Sequence, residues 1–335
     1  MSVNPPIALS VIVATHNRAP RLRETLEALL GQKTPDSLGW EVVVVDNGST
    51  DDTLEVFRTM AMRAPGRLRY VSEPRLGKSR ALNAGLKAAR GSVVAITDDD
   101  VSPADDWVAT SATVLDKWDA DGAGGRILPL WEAEPPKWLL ENRRLLDVLA
   151  IMDFDGSARL PLPAGARPQV WGANMVYRRS ALLALGGFDV TLGPVGGRRY
   201  CAEDVDIVRR LLEAGCSVVY DPDLVVFHRI PGARVTRSYF RRVMWDMGEG
   251  QALAAADPPP PPTVAGVARW RYRYLARLVG GSVSAVLRRR PEAFDEVLDC
   301  AMAAGMTWGQ MKRARRERRQ REHPNPTAAP AVRAR

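Results

Sequence analysis

The 335-residue chain is poor in cysteine and histidine, with three of each. Cys201, Cys216 and Cys300 cannot build a disulfide framework, and no C-x-x-C pair occurs. That excludes a disulfide-stapled scaffold, argues against a structural zinc site and leads us to expect a reducing compartment. No stretch of roughly 18 apolar residues is present, so no membrane-spanning helix is expected. Residues 1–10 have neither a basic start nor a long apolar stretch, so no secretory leader is expected. No G-x-G-x-x-G follows the first strand-like run, which disfavours a dinucleotide-dependent oxidoreductase, and the G-x-x-x-x-G-K-[ST] phosphate loop is absent.

What is present is ordinary for a globular protein, with 46% hydrophobic and 26% charged residues. The length allows one large domain with an extension, or two domains. The net charge of +8 is concentrated at one end, where residues 312–335 hold nine Lys/Arg against two Glu, +7 of that total. The body is therefore nearly neutral, and no nucleic-acid partner is expected from charge.

The first hundred residues alternate between two periods. Apolar strand-like runs cover Leu9–Ala14, Glu41–Val45, Leu68–Val71 and Ser92–Thr97. Between them lie helical patterns: Leu22, Leu26, Leu29 and Leu30 ending at Gly31, a helix opened by Ser49-Thr50-Asp51-Asp52 with Ser49 as cap, and Ser79–Arg90. Strand–helix repetition predicts an α/β fold with a mostly parallel sheet flanked by helices, whose ligands lie beyond the carboxyl ends of the strands. Three strand ends carry polar sets: Thr15/Asn17/Arg18, Asp46/Asn47 and Asp98/Asp99/Asp100. Further on, the pattern predicts a strand over Val170–Tyr177, a short helix over Ser180–Leu185, a helix from Glu203, and short strands over Ser217–Tyr220 and Leu224–Phe227, the last ending at His228.

Several residues could carry chemistry. Three adjacent carboxylates repel one another, and alternate residues of an extended segment point the same way, so Asp98 and Asp100 could share a hard divalent cation, Mg²⁺ or Mn²⁺. Asp46 could accept from a base N–H or a ribose hydroxyl, or simply make the Asp-Asn-Gly-Ser turn. Lys78 and Arg80 at a helix start, with Asn83, suit a phosphate neighbourhood or a basic surface turn. A carboxylate of Glu203-Asp204 could be a general base or first-turn acid complementing the helix dipole. His228 could bind a metal or phosphate, or be structural. Trp171, Gly172 and Asn174 suit an aromatic sugar platform as well as a core.

Taken in order, these pieces resemble the family 2 glycosyltransferases of the GT-A fold. The matching stretches are Ser10–Arg18, Val45–Asp51, Gly77–Gly85, Thr97–Asp100, Gly186–Asp189 and Glu203–Asp206, spanning about residues 7–250. The resemblance implies inverting transfer from a nucleoside-diphosphate sugar (UDP, GDP or dTDP) and a role in cell-envelope or polysaccharide synthesis. It implies that Thr15, Asn17 and Arg18 cradle the nucleotide and that Asp46 contacts the base, with Asn47, Lys78, Arg80, Asn83, Asp98 and Asp99 in the same nucleotide-sugar site. It places the metal on Asp98, Asp100 and His228, makes Asp204 the base beside Glu203, and leaves Trp171, Gly172 and Asn174 for the acceptor, whether glycan, lipid-linked or small molecule. Two departures stand out: His16 replaces an aromatic, and the acidic motif is Asp-Asp-Asp.

On this reading the catalytic domain covers 1–256, a Pro-rich linker 257–263, a helical extension 264–322 and a disordered basic tail 323–335. The Gly-rich stretch Gly193–Gly197 with Arg198 and Arg199 could close over the donor. The extension is read either as a helical cap, which we prefer, or as a helix at a membrane surface, so the expected location is cytoplasmic with peripheral contact at the inner face of the membrane left open. Two competing readings are a sugar nucleotidyltransferase, whose Gly-rich basic signature after the first strand is missing, and a non-enzymatic nucleic-acid-binding protein using the basic tail.

Overall fold

The computed structural model describes residues 5–160, 169–193, 203–254, 263–288 and 293–322. The residues 194–200 of the expected donor-closing loop, most of the Pro-rich linker and the tail after 322 lie outside the described residues. The chain divides into two compact units at Thr236/Arg237, ahead of the expected boundary at 256.

The first unit runs, in order, β1 (Ile7–Thr15), α1 (Ala19–Leu30), β2 (Gly39–Asp46), α2 (Thr53–Arg63), β3 (Leu68–Ser72), α3 (Lys78–Ala88), β4 (Val93–Asp98), β5 (Val101–Pro103), α4 (Trp107–Lys117), β6 (Gly122–Trp131), α5 (Lys137–Leu140), α6 (Arg143–Val148), β7 (Ala158–Leu160), β8 (Met175–Arg178), α7 (Arg179–Ala184), α8 (Glu203–Glu213) and β9 (Val218–Ile230). One sheet holds all nine strands in the order β3-β2-β1-β4-β8-β6-β9-β5, with β7 also on β9. Strands β3, β2, β1 and β4 are mutually parallel, and β8 runs against β4 and β6.

Period-two alternation explains how helices cover both faces. Val11, Val13, Val42 and Val44 point to one side, where they meet Leu22, Leu26, Val56, Met60 and Val114 of α1, α2 and α4. Ile12, Val43, Val45, Val94 and Ile96 point to the other, against Leu82, Leu86, Leu182, Ile207 and Leu211 of α3, α7 and α8. Each such fully buried side chain contributes about 1.5–3 kcal/mol of hydrophobic free energy before entropy is counted.

Three expectations change. Helix α2 starts at Thr53, not at Ser49; the Asp51 carboxylate accepts from Thr53 N at 3.2 Å, while Ser49 Oγ accepts from Asn17 N at 3.0 Å. The strand expected over Val170–Tyr177 is only Met175–Arg178, because Trp171–Asn174 closes a turn through Asn174 N and Trp171 O at 3.0 Å. The two short strands before His228 are one long strand, β9, and its pairing with β6 jumps from Gly125↔Asp221 to Arg126↔Val225. Pro222, which has no N–H, lies in that bulge, and the chain resumes the same strand beyond it.

The second unit contains α9 (Arg237–Ala254), a small hairpin of β10 (Thr263–Val264) and β11 (Val267–Ala268), α10 (Arg269–Leu287) and α11 (Ala293–Glu322). Helices α9 and α11 pack through glycines: a Cβ at Gly248 would lie 2.0 Å from Met302 O, and one at Gly305 2.1 Å from Trp245 O. No helix among the described residues is long and apolar enough to cross a membrane.

Helix α3 lies close enough to the sheet that only a glycine fits at 85, where a Cβ would stand 2.6 Å from Ile12 Cγ2 and 3.0 Å from Val45 Cγ2. Both neighbours are β-branched and cannot swing aside. Gly85→Ala should therefore destabilise the fold by about 1–3 kcal/mol through overpacking, against a helix-propensity gain of about 1 kcal/mol. A chemical-denaturation midpoint at or above wild type would refute this.

Candidate functional site at the carboxyl edge of the sheet

Parallel register brings the strand ends level, with Thr15 opposite Asp46 and Ala14 opposite Asp98. The loops beyond β1 and β2 are locked together. Asn17 is left-handed (φ 52°), and its side-chain oxygen accepts from Thr50 N at 2.7 Å. His16 Nδ1 lies 2.8 Å from Asn47 O, so the residue that departs from the usual aromatic serves as a tie between the loops. Both Asp46 oxygens are engaged, one by Ser49 N at 2.8 Å and one by the Tyr70 hydroxyl at 2.5 Å. Burial and that bond push the Tyr70 phenol above its ordinary range. Asn47 donates to Glu73 O (2.8 Å) and Arg75 O (2.9 Å) and accepts from Gly77 N (2.8 Å), which clamps the loop leading into α3.

The acidic triplet is held by cations from the chain itself. Lys78 Nζ is 2.6 Å from Asp98 Oδ1. Arg18 Nη1 is 2.8 Å from Asp99 Oδ1 and 3.1 Å from Asp100 Oδ2. Arg234 Nη2 reaches Asp100 Oδ2 at 3.2 Å, and His228 Nε2 faces Asp100 Oδ1 at 3.6 Å. Thr15 Oγ1 donates to Asp99 Oδ2 at 2.7 Å. Burial pushes the Asp99 carboxyl up to about 6, against the pull of Arg18 and with the push of Asp100. Burial acts the same way on Asp100, but His228, Arg234 and Arg18 outweigh it and hold that carboxyl well below the carboxylate range.

Among the described residues no three His, Cys, Asp or Glu side chains meet as a cation cage. The expected set therefore splits, with Asp100 facing His228 while Asp98 turns to Lys78. The alternation argument fails because the chain bends at Asp99–Asp100 instead of staying extended.

The start of α8 reaches the same place. Asp204 accepts from Gly172 N at 2.9 Å and from Val205 N at 2.8 Å, and Glu203 Oε1 is 3.6 Å from Lys78 Nζ. Both acids are buried. A Cβ on Gly172 would lie 3.2 Å from Lys78 Nζ and 3.4 Å from Asp204 Oδ2, so backbone forms the wall between them. Lys78 thus joins the end of β4 to the start of α8.

The sequence description "Glycosyl transferase family 2" matches residues 10–186, more than half of the chain and every strand end of the site except those after β8. The chain belongs to glycosyl transferase family 2. As a family 2 glycosyltransferase with the GT-A fold it is an enzyme, which sets aside the non-enzymatic reading. It is 30% identical over 244 residues to the glycosyltransferase AglE of Haloferax volcanii, covering 72% of each chain. It is 28% identical over 229 residues to the glucosyl-dolichyl phosphate glucuronosyltransferase of the same organism, covering 66% of this chain and 69% of that one. Its fold is similar to that of the mannosyltransferase PcManGT from Pyrobaculum calidifontis, solved with GDP-Man and Mn²⁺, with a TM-score of 0.55 and 25% identity over 92% of this chain and 85% of the other.

Other expected site residues of the glycosyltransferase fall elsewhere. Asn174 is fully buried, accepting from Trp107 Nε1 at 2.9 Å and donating to Arg126 O and Leu224 O at 3.0 and 2.9 Å. It is a core clamp and cannot meet an acceptor. Asn83 makes paired bonds of 2.8 Å with the backbone N and O of Phe188, tight against Gly187 (φ 80°), so its amide holds the Gly186–Phe188 turn. Arg80 is half-buried and lies within Coulombic reach of Glu73. Trp171 packs on the core with its Nε1 buried and unbonded. Sequence reading missed Tyr70 and Arg234; the only signal for Arg234 was its place six residues after His228.

Burial raises the Glu203 carboxyl above the ordinary range, opposed by Lys78 and reinforced by Asp204 and Asp98. The native carboxyl then keeps its proton where the unfolded chain has lost it. The cost to the fold is absent below the ordinary Glu value of about 4.3 and grows as pH rises through the window above it. Glu203→Gln should match wild type near pH 4 and exceed it in stability near pH 8. Urea midpoints at the two pH values test this, and a gap that does not widen with pH would remove the assignment.

Proposed function

We propose that this glycosyltransferase moves a sugar, with inversion, from a UDP, GDP or dTDP sugar to an acceptor hydroxyl, using a divalent cation and Asp204 as general base. The observation that carries this reading is Lys78, which joins Asp98 at the end of β4 to Glu203 at the start of α8 and so puts donor-side and base-side carboxylates in one place. The backbone bonds from Gly172 and Val205 fix the Asp204 carboxylate, and an acceptor hydroxyl would deliver its proton there as its oxygen attacks the anomeric carbon. The bond to the nucleoside diphosphate breaks on the opposite side. Thr15, Asn17, Arg18, Asp46 and Asn47 form the nucleotide side, where Arg18 and Lys78 face phosphate.

The residues present fit a cation. His228 Nδ1 donates to Leu149 O at 2.9 Å, which orients the ring and leaves Nε2 as the nitrogen that faces Asp100. Asp100 and His228 would hold Mg²⁺ or Mn²⁺, with phosphate oxygens and water as the remaining ligands. When bound, the ion neutralises charge on the leaving diphosphate. The Mn²⁺ and GDP-Man in the Pyrobaculum enzyme support this assignment.

Calorimetric titration of UDP, GDP and dTDP, each with and without Mn²⁺, tests the site. One nucleotide should bind in a metal-dependent way and be lost in Asp100→Ala. Asp204→Asn should keep that affinity within about twofold while kcat falls by roughly 10²–10⁴. No nucleotide binding by folded wild type would sink the reading.

The acceptor side is proposed to be lipid-linked and met at a membrane surface. Residues 263–288 contain five Arg and no Asp or Glu. Helix α10 exposes Trp270 (55%), Val283 (53%) and Leu287 (77%), and Arg269, Arg273, Arg277 and Arg288 are exposed along it. Apolar and aromatic side chains with snorkelling arginines suit an anionic interface, and like charge disfavours self-association through this face. The name of the Haloferax glucuronosyltransferase points to a lipid-linked acceptor in that enzyme. The chain should co-sediment with phosphatidylglycerol vesicles but not with phosphatidylcholine vesicles. Salt, or Arg273→Glu with Arg277→Glu, should release it; equal binding to both vesicle types would contradict this.

A further inference from the structure

Arg234 follows β9 in a single 3₁₀ turn, Gly232–Arg234. Its guanidinium sits on the two groups just assigned to the cation. Nη1 donates to His228 Nε2 at 3.2 Å, and Nη2 donates to Asp100 Oδ2 at 3.2 Å. The side chain is only 18% exposed. Arginine has donors only and is charged at every accessible pH. A metal ion needs the same Nε2 lone pair and the same carboxylate, and it carries charge of the same sign. The guanidinium and the ion therefore cannot hold these atoms together.

Resting on the donor-site reading above, we propose that Arg234 is an internal counter-ion. It keeps Asp100 and His228 in place while the site is empty of donor, then yields them to the metal and passes its charge to the donor diphosphate. Three features favour this exchange over simple loss of a contact. Arg18 remains on Asp99 when Arg234 leaves, so that carboxylate keeps its cationic partner while Asp100 passes from guanidinium to ion. The planar fork of arginine matches phosphate oxygens in pairs. The residue stands on a short turn instead of a strand, so a side-chain swing suffices. In the resting arrangement Arg234 competes with the cation; with donor present the two cooperate, which is a coupling between metal and diphosphate.

The test separates these two effects. Binding of Mn²⁺ alone, measured by the EPR signal of the free ion, should be about fivefold or more tighter in Arg234→Ala than in wild type. Binding of UDP or GDP at saturating Mn²⁺ should be about tenfold weaker in the same variant. Arg234→Lys, which keeps the charge without the planar fork and guards against a folding artefact, should recover only part of the nucleotide affinity lost in Arg234→Ala. Opposite shifts for metal and nucleotide are the signature, since a merely structural loss would weaken both. Unchanged or weaker Mn²⁺ binding in Arg234→Ala, with nucleotide still binding to wild type, overturns the proposal. Absence of Mn²⁺-dependent nucleotide binding in wild type overturns the transferase-site reading and the proposal with it.

Discussion

Three consecutive carboxylates beyond a buried strand cannot stand together without positive charge, and the rest of the site follows from where that charge comes from. Lys78 comes from the start of α3, Arg18 from the loop before α1, and Arg234 from the turn after β9. None is a sequence neighbour of the triplet, so only the sheet order can assemble them. Burial raises the cost of each unpaired charge and so strengthens the demand for a partner. The far end of the same strands shows the contrast. Glu41, also buried, is absorbed by Ser10 Oγ at 2.9 Å, Arg69 at 3.2 Å and the backbone N–H of Arg90 at 2.9 Å. That end is fastened by one nearby carboxylate with its donors, while the triplet at the site end draws on three cationic side chains from separate elements.

Much of this was legible in the sequence, for identifiable reasons. Strands β1, β2 and β4 are covered on both faces, so they read as largely apolar runs, and each ends where a polar set begins. The Glu-Asp pair announced the start of α8. What failed did so where local rules meet tertiary geometry. Alternation joined Asp98 to Asp100 on the assumption of extended backbone, and a turn separates them. The bulge at Pro222 made one strand look like two. In a chain of 47 Lys and Arg, a single arginine such as Arg234 has no local mark beyond its place six residues after His228.

Amides were the most misleading class. Asn83 and Asn174 looked like ligand-binding groups because an Asn in a small-residue or helix-start context suits either role. In the fold both are filled by main-chain or Trp107 partners. An amide offers two donors and an acceptor on a short, stiff arm, so it can join segments that regular hydrogen-bond ladders do not reach. This glycosyltransferase uses these amides for scaffolding.

Asn47 carries one consequence of that division. Its three bonds go to the carbonyls of Glu73 and Arg75 and to the N–H of Gly77, all groups that belong to the main chain. The path of the 73–77 segment is thus held without reference to most of its side chains. Side chains at positions 74 to 76 can change in character while the loop keeps its shape, so what lines this edge of the sheet can be altered without rebuilding the loop.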